Sequence, residues 1–126
     1  MKNAAQPAVS NARTTAVMDV EDALQRLDHD HELFREIVQI YVEDSPSMLQ
    51  SIHDAVAHAD AGMLQRAAHS LKGLTATLSA QQVVSAAYRL EQMGATGNLT
   101  DAAAAVATVD QQVSELNQVV RNYLQK

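Results

Sequence analysis

The residues with the clearest capacity for chemistry are His69 and Lys72, which lie in the run Ala68-His69-Ser70-Leu71-Lys72-Gly73. Neutral imidazole is a good nucleophile near neutral pH, so a histidine can carry a phosphoryl group covalently. Lys72 follows three residues later, one helical turn on, where its ammonium group can hold an anion on the ring. The pair indicates either a phosphoryl carrier or a chemically idle surface histidine.

The helix that must carry His69 has one apolar face and one polar face. At about 100° per residue, the polar face holds His69 itself, so the pattern disfavours a core histidine. We therefore predict that His69 is exposed. The apolar or small residues of the core face are Leu64, Ala67, Ala68, Leu71, Leu74, Thr75 and Leu78, and the outer face around His69 carries Gly62, Gln65, Arg66, Lys72, Gly73 and Ala76.

Gly73 sharpens the interpretation of this outer face. A glycine in mid-helix costs about 1 kcal/mol relative to alanine. Because Gly73 faces away from the predicted core, close packing inside the bundle does not explain it. We predict that the glycine leaves room for an external partner that approaches His69.

The composition favours helices as the elements that position this face. Apolar residues make up 47% of the 126 residues, but aromatic residues only 3%, and there are four glycines and two prolines. Such a core must be aliphatic and rich in alanine, which suits helix better than sheet. We predict an all-α fold: an antiparallel four-helix bundle (up-down-up-down) with a short extra N-terminal helix.

Periodicity and capping residues predict where the helices lie. Pro46 should kink or briefly break the second helix. Asp60, Ser79 and Thr100 are predicted to cap the third, fourth and fifth. The predicted ranges are 20–27, from 30 through Val56, 60–78, 79 to about Gly94 and 100–125, with the segment GATGN as a loop.

Two helices have apolar patterns that define the predicted core. The last helix repeats at alternating steps of four and three, which fits packing in the bundle better than a dimeric coiled coil. Its apolar residues are Ala102, Val106, Val109, Val113, Leu116, Val120 and Tyr123, and those of the second helix are Leu33, Phe34, Ile37, Ile40, Tyr41, Met48, Leu49, Ile52 and Val56.

Residues 1–18 lack a sustained apolar period and are predicted to be a flexible tail or linker, so that the domain comprises residues 19–126. A linker would indicate a domain cut from a longer protein, such as the C-terminal domain of a membrane-bound kinase, and a tail a free-standing one. No apolar stretch is long enough for a membrane span or a signal peptide, and the chain has no cysteine. These features predict a cytoplasmic protein.

Several other kinds of site are disfavoured. The absence of cysteine excludes thiol catalysis and disulfides. His29 and His31 lack the i,i+4 spacing of helical zinc ligands, and His53 and His58 do not share a face, so no metal site is predicted. There is no nucleotide-binding motif, so we expect no ATP site. A net charge of −6 argues against general nucleic-acid binding.

The run at residues 68–73 resembles the AH[ST]LKG signature of histidine-containing phosphotransfer (HPt) domains. The resemblance extends from about Asp19 to Gln125 and includes the segment EDSP followed by ML, and the segment RLE that ends at Glu91. It implies that His69 accepts a phosphoryl group from a receiver-domain aspartate and passes it to another. It also implies receiver domains of a hybrid sensor kinase or response regulator as partners, a monomeric carrier without its own cofactor, and Mg²⁺ supplied by the receiver.

The same resemblance assigns roles to individual residues. Lys72 would stabilise the phosphoryl oxygens, Gly73 would leave space for the receiver, and Gln65 and Arg66 would be docking contacts. Glu91 lies where such domains often have a polar side chain near the imidazole, and it would then orient the ring. An ordinary solvated helix residue is the simpler interpretation of Glu91, and we favour it slightly.

Two observations qualify and extend this picture. The sequence has Ser79-Ala80 where the family usually has Gly-Ala. A non-catalytic adaptor that binds receivers without transfer remains the alternative function.

The charge is also uneven along the chain, because eleven of the fifteen acidic residues lie between Asp19 and Asp60. Residues 61–90 contain three basic residues and no acidic one, so a locally basic face is predicted around His69 for an acidic partner.

Overall fold

The computed structural model describes residues 17–125, and every regular element within that range is helical. The residues before Val17, which make up most of the predicted tail, lie outside this range. The helices are α1 (Val20–Arg26), α2 (His31–Ala57), α3 (Ala61–Thr77), α4 (Gln81–Thr96) and α5 (Ala102–Leu124).

The four long helices form a closed bundle. Along the chain, α2 packs on α3, α3 on α4 and α4 on α5, and α5 returns to pack on α2, while the short α1 lies against α2. The connections between the long helices are short, which makes consecutive helices antiparallel. The predicted all-α bundle with a short extra N-terminal helix is therefore confirmed.

Aspartates fix the start of three helices. The side chains of Asp19, Asp30 and Asp60 each accept a hydrogen bond of 3.0 Å from the backbone N–H three residues later. Each bond satisfies a backbone donor that the helix itself cannot pair. The predicted cap at Asp60, which begins the helix that carries His69, is confirmed.

The two other predicted caps are wrong. Ala80 and Asp101 occupy the N-cap positions of α4 and α5, and neither makes a side-chain capping bond. Ser79 instead lies in the α3–α4 loop with φ of 53°, a conformation in which glycine is unstrained. The buried Ser79 hydroxyl donates to Asp22 at 2.6 Å. Arg26 donates to the same hydroxyl and to the Ala76 carbonyl, so the loop is tied to α1.

Helix α4 continues past Gly94, where its end was predicted. Gly94 is buried inside the helix, which ends at Gly97 with a left-handed φ of 79°. Helices commonly end at a glycine in this conformation. Gly97, rather than Gly94, is therefore the residue that ends α4. The segment GATGN is therefore mostly helical rather than a loop.

A kink or a brief break was predicted at Pro46, and the break is wrong, because helix α2 is uninterrupted through this residue. Pro46 and Val42 are both exposed. Solvent can therefore satisfy the Val42 carbonyl that proline leaves without a donor. Leu33 and Ile40 also face solvent, with 39% and 46% exposure, although the apolar pattern predicted them in the core.

The core extends slightly further along the chain than predicted. Val17 and Met18, placed in the tail by the sequence pattern, are buried, and Met18 is completely so. The apolar positions of α5 are buried from Ala102 to Val120, as predicted. Tyr41 lies fully in the core and donates to Asn117 Oδ1 at 2.7 Å. Burial raises the pKa of Tyr41 to about 12, although a side-chain hydrogen bond with Ser45 acts to lower it.

Within residues 17–125, none of the helices combines the length and the apolar character that crossing a membrane requires.

Candidate functional site

His69 projects from the outer face of α3 into solvent. Its side chain is 65% exposed, as the pattern predicted. Gly73 lies one turn further along the same face, and a methyl group added there would meet no atom within 4 Å. The space beside the imidazole is therefore open, and Gly73 has no packing role within residues 17–125.

Glu91 reaches the imidazole from the neighbouring helix α4. Its Oε2 lies 2.8 Å from Nδ1 of His69, and its Oε1 lies 2.7 Å from Nζ of Lys72. The Glu91 side chain is only 14% exposed. The interpretation that we favoured for Glu91, a solvated helix residue, is therefore wrong. Glu91 faces α3 because of the rotation of α4, which the local pattern around Glu91 does not determine.

The ion pair keeps Glu91 ionised. The contact with Lys72 is the largest cause that lowers the pKa of Glu91, partial burial opposes it, and the hydrogen bond with His69 lowers the pKa further. An ionised carboxylate only accepts hydrogen bonds. His69 therefore donates from Nδ1, and the lone pair of its Nε2 is directed away from Glu91.

Lys72 is held on two sides. Besides the Glu91 contact, its Nζ lies 5.1 Å from the centre of the Tyr88 ring, a cation–π distance. Tyr88 is half exposed, and the Lys72 side chain is 26% exposed. Sequence reasoning missed Tyr88, although its position one turn before Glu91 on α4 places it on the same side of that helix.

The other predicted contacts lie at different distances along α3. Gln65 and Arg66 are exposed and line an open groove beside His69, together with Ser70 and Glu91. Gly62 and Ala76 are half-buried and lie two helical turns from His69, one in each direction, about 10 Å along the axis. These two residues therefore lie at the ends of the outer face of α3 and do not surround the imidazole.

A second residue missed by the sequence analysis is Gly94, where the backbones of α3 and α4 come close together. A methyl group added at Gly94 would lie 2.5 Å from the backbone nitrogen of Gln65 and 2.7 Å from the carbonyl oxygen of Ala61. The sequence held no signal for this role, because Gly94 was predicted to end its helix.

Two of the four other histidines make contacts of their own. His53 Nε2 lies 2.9 Å from Asp110, which joins α2 to α5, and His58 Nδ1 lies 2.8 Å from the Asp54 carbonyl. Within residues 17–125, no three histidine, aspartate or glutamate side chains come together as a metal site.

Comparison with known proteins identifies the family and the fold. The family model described as the Hpt domain matches residues 36–119. The fold is similar to the crystal structure of histidine-containing phosphotransfer protein B (HptB) from Pseudomonas aeruginosa PAO1, with a TM-score of 0.79 and 22% identity over 86% of this chain and 95% of that chain. A search among curated proteins finds no match.

Proposed function

This chain belongs to the Hpt domain family, and we propose that it is a phosphorelay intermediate in which His69 carries the phosphoryl group. Phosphotransfer is the role of the family. The observation that carries the assignment to His69 is the contact of its Nδ1 with the ionised Glu91, which leaves Nε2 as an exposed nucleophile. His69 thus combines access with a defined tautomer.

The proposed transfer is an in-line displacement at phosphorus. The lone pair of Nε2 forms the N–P bond, the P–O bond to the receiver aspartate breaks, and the aspartate leaves as a carboxylate. No proton moves from Nε2, because the ring proton is on Nδ1 and stays hydrogen-bonded to Glu91. Glu91 offsets the positive charge that develops on the ring. Transfer to a second receiver is the same displacement in reverse.

Lys72 supplies the cation for the phosphoryl oxygens in this proposal. It lies at i+3 from His69 and is placed by Glu91 and Tyr88. These contacts hold its ammonium group on the carboxylate that also binds His69, from which it can reach the phosphoryl oxygens at little entropic cost. The receiver would bring the Mg²⁺, and this chain would bind no cofactor and no ATP.

The docking surface of the proposal is the outer face of α3 with the adjoining part of α4. Gln65, Arg66 and Gly73 are exposed around His69, and the exposed ring of Tyr88 extends the surface onto α4. Aromatic and arginine side chains contribute most to binding energy at protein interfaces. Lys72 is paired with Glu91, so the positive charge that suits the acidic aspartyl pocket of a receiver comes mainly from Arg66, beside His69. A monomeric carrier in the cytoplasm remains part of the proposal.

The test uses His53, an exposed histidine that also contacts a carboxylate, as an internal control. The full chain is incubated with phosphorylated receivers and Mg²⁺, and intact mass is measured for the wild type, His69→Gln and His53→Gln. We expect one phosphoryl group on the wild type and on His53→Gln, and none on His69→Gln. A wild type that binds receivers without gaining mass would support the adaptor instead.

A further inference from the structure

We infer that Gly94 is a positioning residue, which sets the spacing of α3 and α4 that brings Glu91 to His69. The inference rests on the proposed function of His69. A methyl group added at Gly94 would lie 2.5 Å from the backbone nitrogen of Gln65 and 2.8 Å from its Cα. These are backbone atoms, so no side-chain rotation can relieve the clash. A side chain at residue 94 must push one helix away from the other.

The position of Gly94 opposite Gln65 connects this spacing to the chemistry. Because α3 and α4 are antiparallel, the pairs Gln65–Gly94, His69–Glu91 and Lys72–Tyr88 follow each other at successive helical turns. The backbone contact at the first pair is therefore one turn from the 2.8 Å hydrogen bond at the second. Spacing at Gly94 and spacing at His69 cannot vary independently over so short a distance.

The magnitude of the displacement decides the outcome. Ordinary carbon contacts are about 3.5–4.0 Å, so an alanine at 94 requires a shift of about 1 Å. A hydrogen bond of 2.8 Å lengthened by that amount no longer meets the distance criterion for one. We expect Gly94→Ala to separate Glu91 from Nδ1 and to release the constraint on the tautomer.

The experiment measures the tautomer and the transfer rate in the full chain. Nitrogen-15 NMR gives the His69 tautomer in the wild type, Gly94→Ala and Glu91→Ala, the last as the reference for a lost contact. Val113→Ala, a core change in α5, controls for reduced stability. We expect the Nδ1–H fraction of Gly94→Ala to fall to that of Glu91→Ala, and transfer to slow at least about tenfold. Val113→Ala should keep the wild-type tautomer.

A folded Gly94→Ala protein with the wild-type tautomer and rate would overturn the inference. If this variant is unfolded in buffer, the measurement is repeated in trimethylamine N-oxide, which favours folded states. Failure to fold there, while Val113→Ala folds, would assign Gly94 a purely structural role and also overturn the inference. The tautomer is measured without phosphate, so it decides the role of Gly94 even if the wild type accepts no phosphoryl group.

Discussion

The molecule contains two histidine–carboxylate pairs that bridge neighbouring helices, and they differ in almost everything else. His69 meets Glu91 through Nδ1 at 2.8 Å, and His53 meets Asp110 through Nε2 at 2.9 Å. Glu91 is 14% exposed and also binds Lys72, whereas the Asp110 side chain is 42% exposed. A histidine beside a carboxylate is therefore not by itself a site. The nitrogen that remains free, the nearby cation and the open approach distinguish His69.

The largest effect should come from closing the approach to His69. Gly73→Trp fills the open space on the outer face and should slow transfer from a phosphorylated receiver at least about 100-fold, because the reacting atoms cannot align. Unfolding by denaturant should show equal or slightly greater stability, since glycine is a poor helix former. Ala107→Trp, at an exposed position one turn before Asp110, is the matched control and should transfer normally. A sharp loss of stability in Gly73→Trp would contradict the open outer face.

Removal of the cation should have a smaller effect. Lys72→Ala should slow transfer about tenfold, because one charge that stabilises the transition state is lost. The unfolding free energy should fall by about 1 kcal/mol, because the mostly buried Glu91 carboxylate loses one partner but keeps its hydrogen bond with His69. Stopped-flow transfer and denaturant unfolding check the two parts. An unchanged transfer rate and an unchanged half-life of the phosphohistidine would remove Lys72 from the mechanism.

The smallest predicted effect is the pH dependence of the folding stability that Glu91 contributes through its contacts with Lys72 and His69. The folded pKa of Glu91 lies below its ordinary value of 4.5, so ionised Glu91 stabilises the folded state above that pH. This contribution is lost as pH falls through the lowered pKa. The wild type should therefore exceed Glu91→Gln in stability at pH 7, by less than about 1 kcal/mol, and the difference should vanish in acid. Glu43→Gln, at an exposed position on α2, controls for the loss of one charge. A difference that is constant with pH would contradict the ionised contact.

Much of the fold was predictable because each helix of the bundle carries its own signals. The Asp60 cap, the apolar pattern of α5 and the two faces of α3 are local, and the structure confirms them. The errors arose where local signals compete. Gly94 and Gly97 both mark a helix end by residue type, but only Gly97 adopts the left-handed conformation. Ser79 is a good capping residue, yet its positive φ and its bonds to α1 place it in the loop.

The features of the candidate site also fall into those that one helix predicts and those that depend on how two helices pack. The exposure of His69 and the open space at Gly73 follow from the periodicity of one helix, so both were predictable. The contacts of Glu91, Tyr88 and Gly94 depend on how α4 is rotated and shifted against α3. That register is set by packing over the whole interface, which the local pattern of either helix does not specify.

The most direct test of this account is the identity of the phosphorylated nitrogen. Phosphorus-31 and nitrogen-15 NMR of the phosphorylated full chain distinguishes phosphate on Nε2 from phosphate on Nδ1. The account predicts that the group lies on Nε2 of His69, with the proton on Nδ1 hydrogen-bonded to Glu91. Phosphate on Nδ1, or on a histidine other than His69, would contradict it.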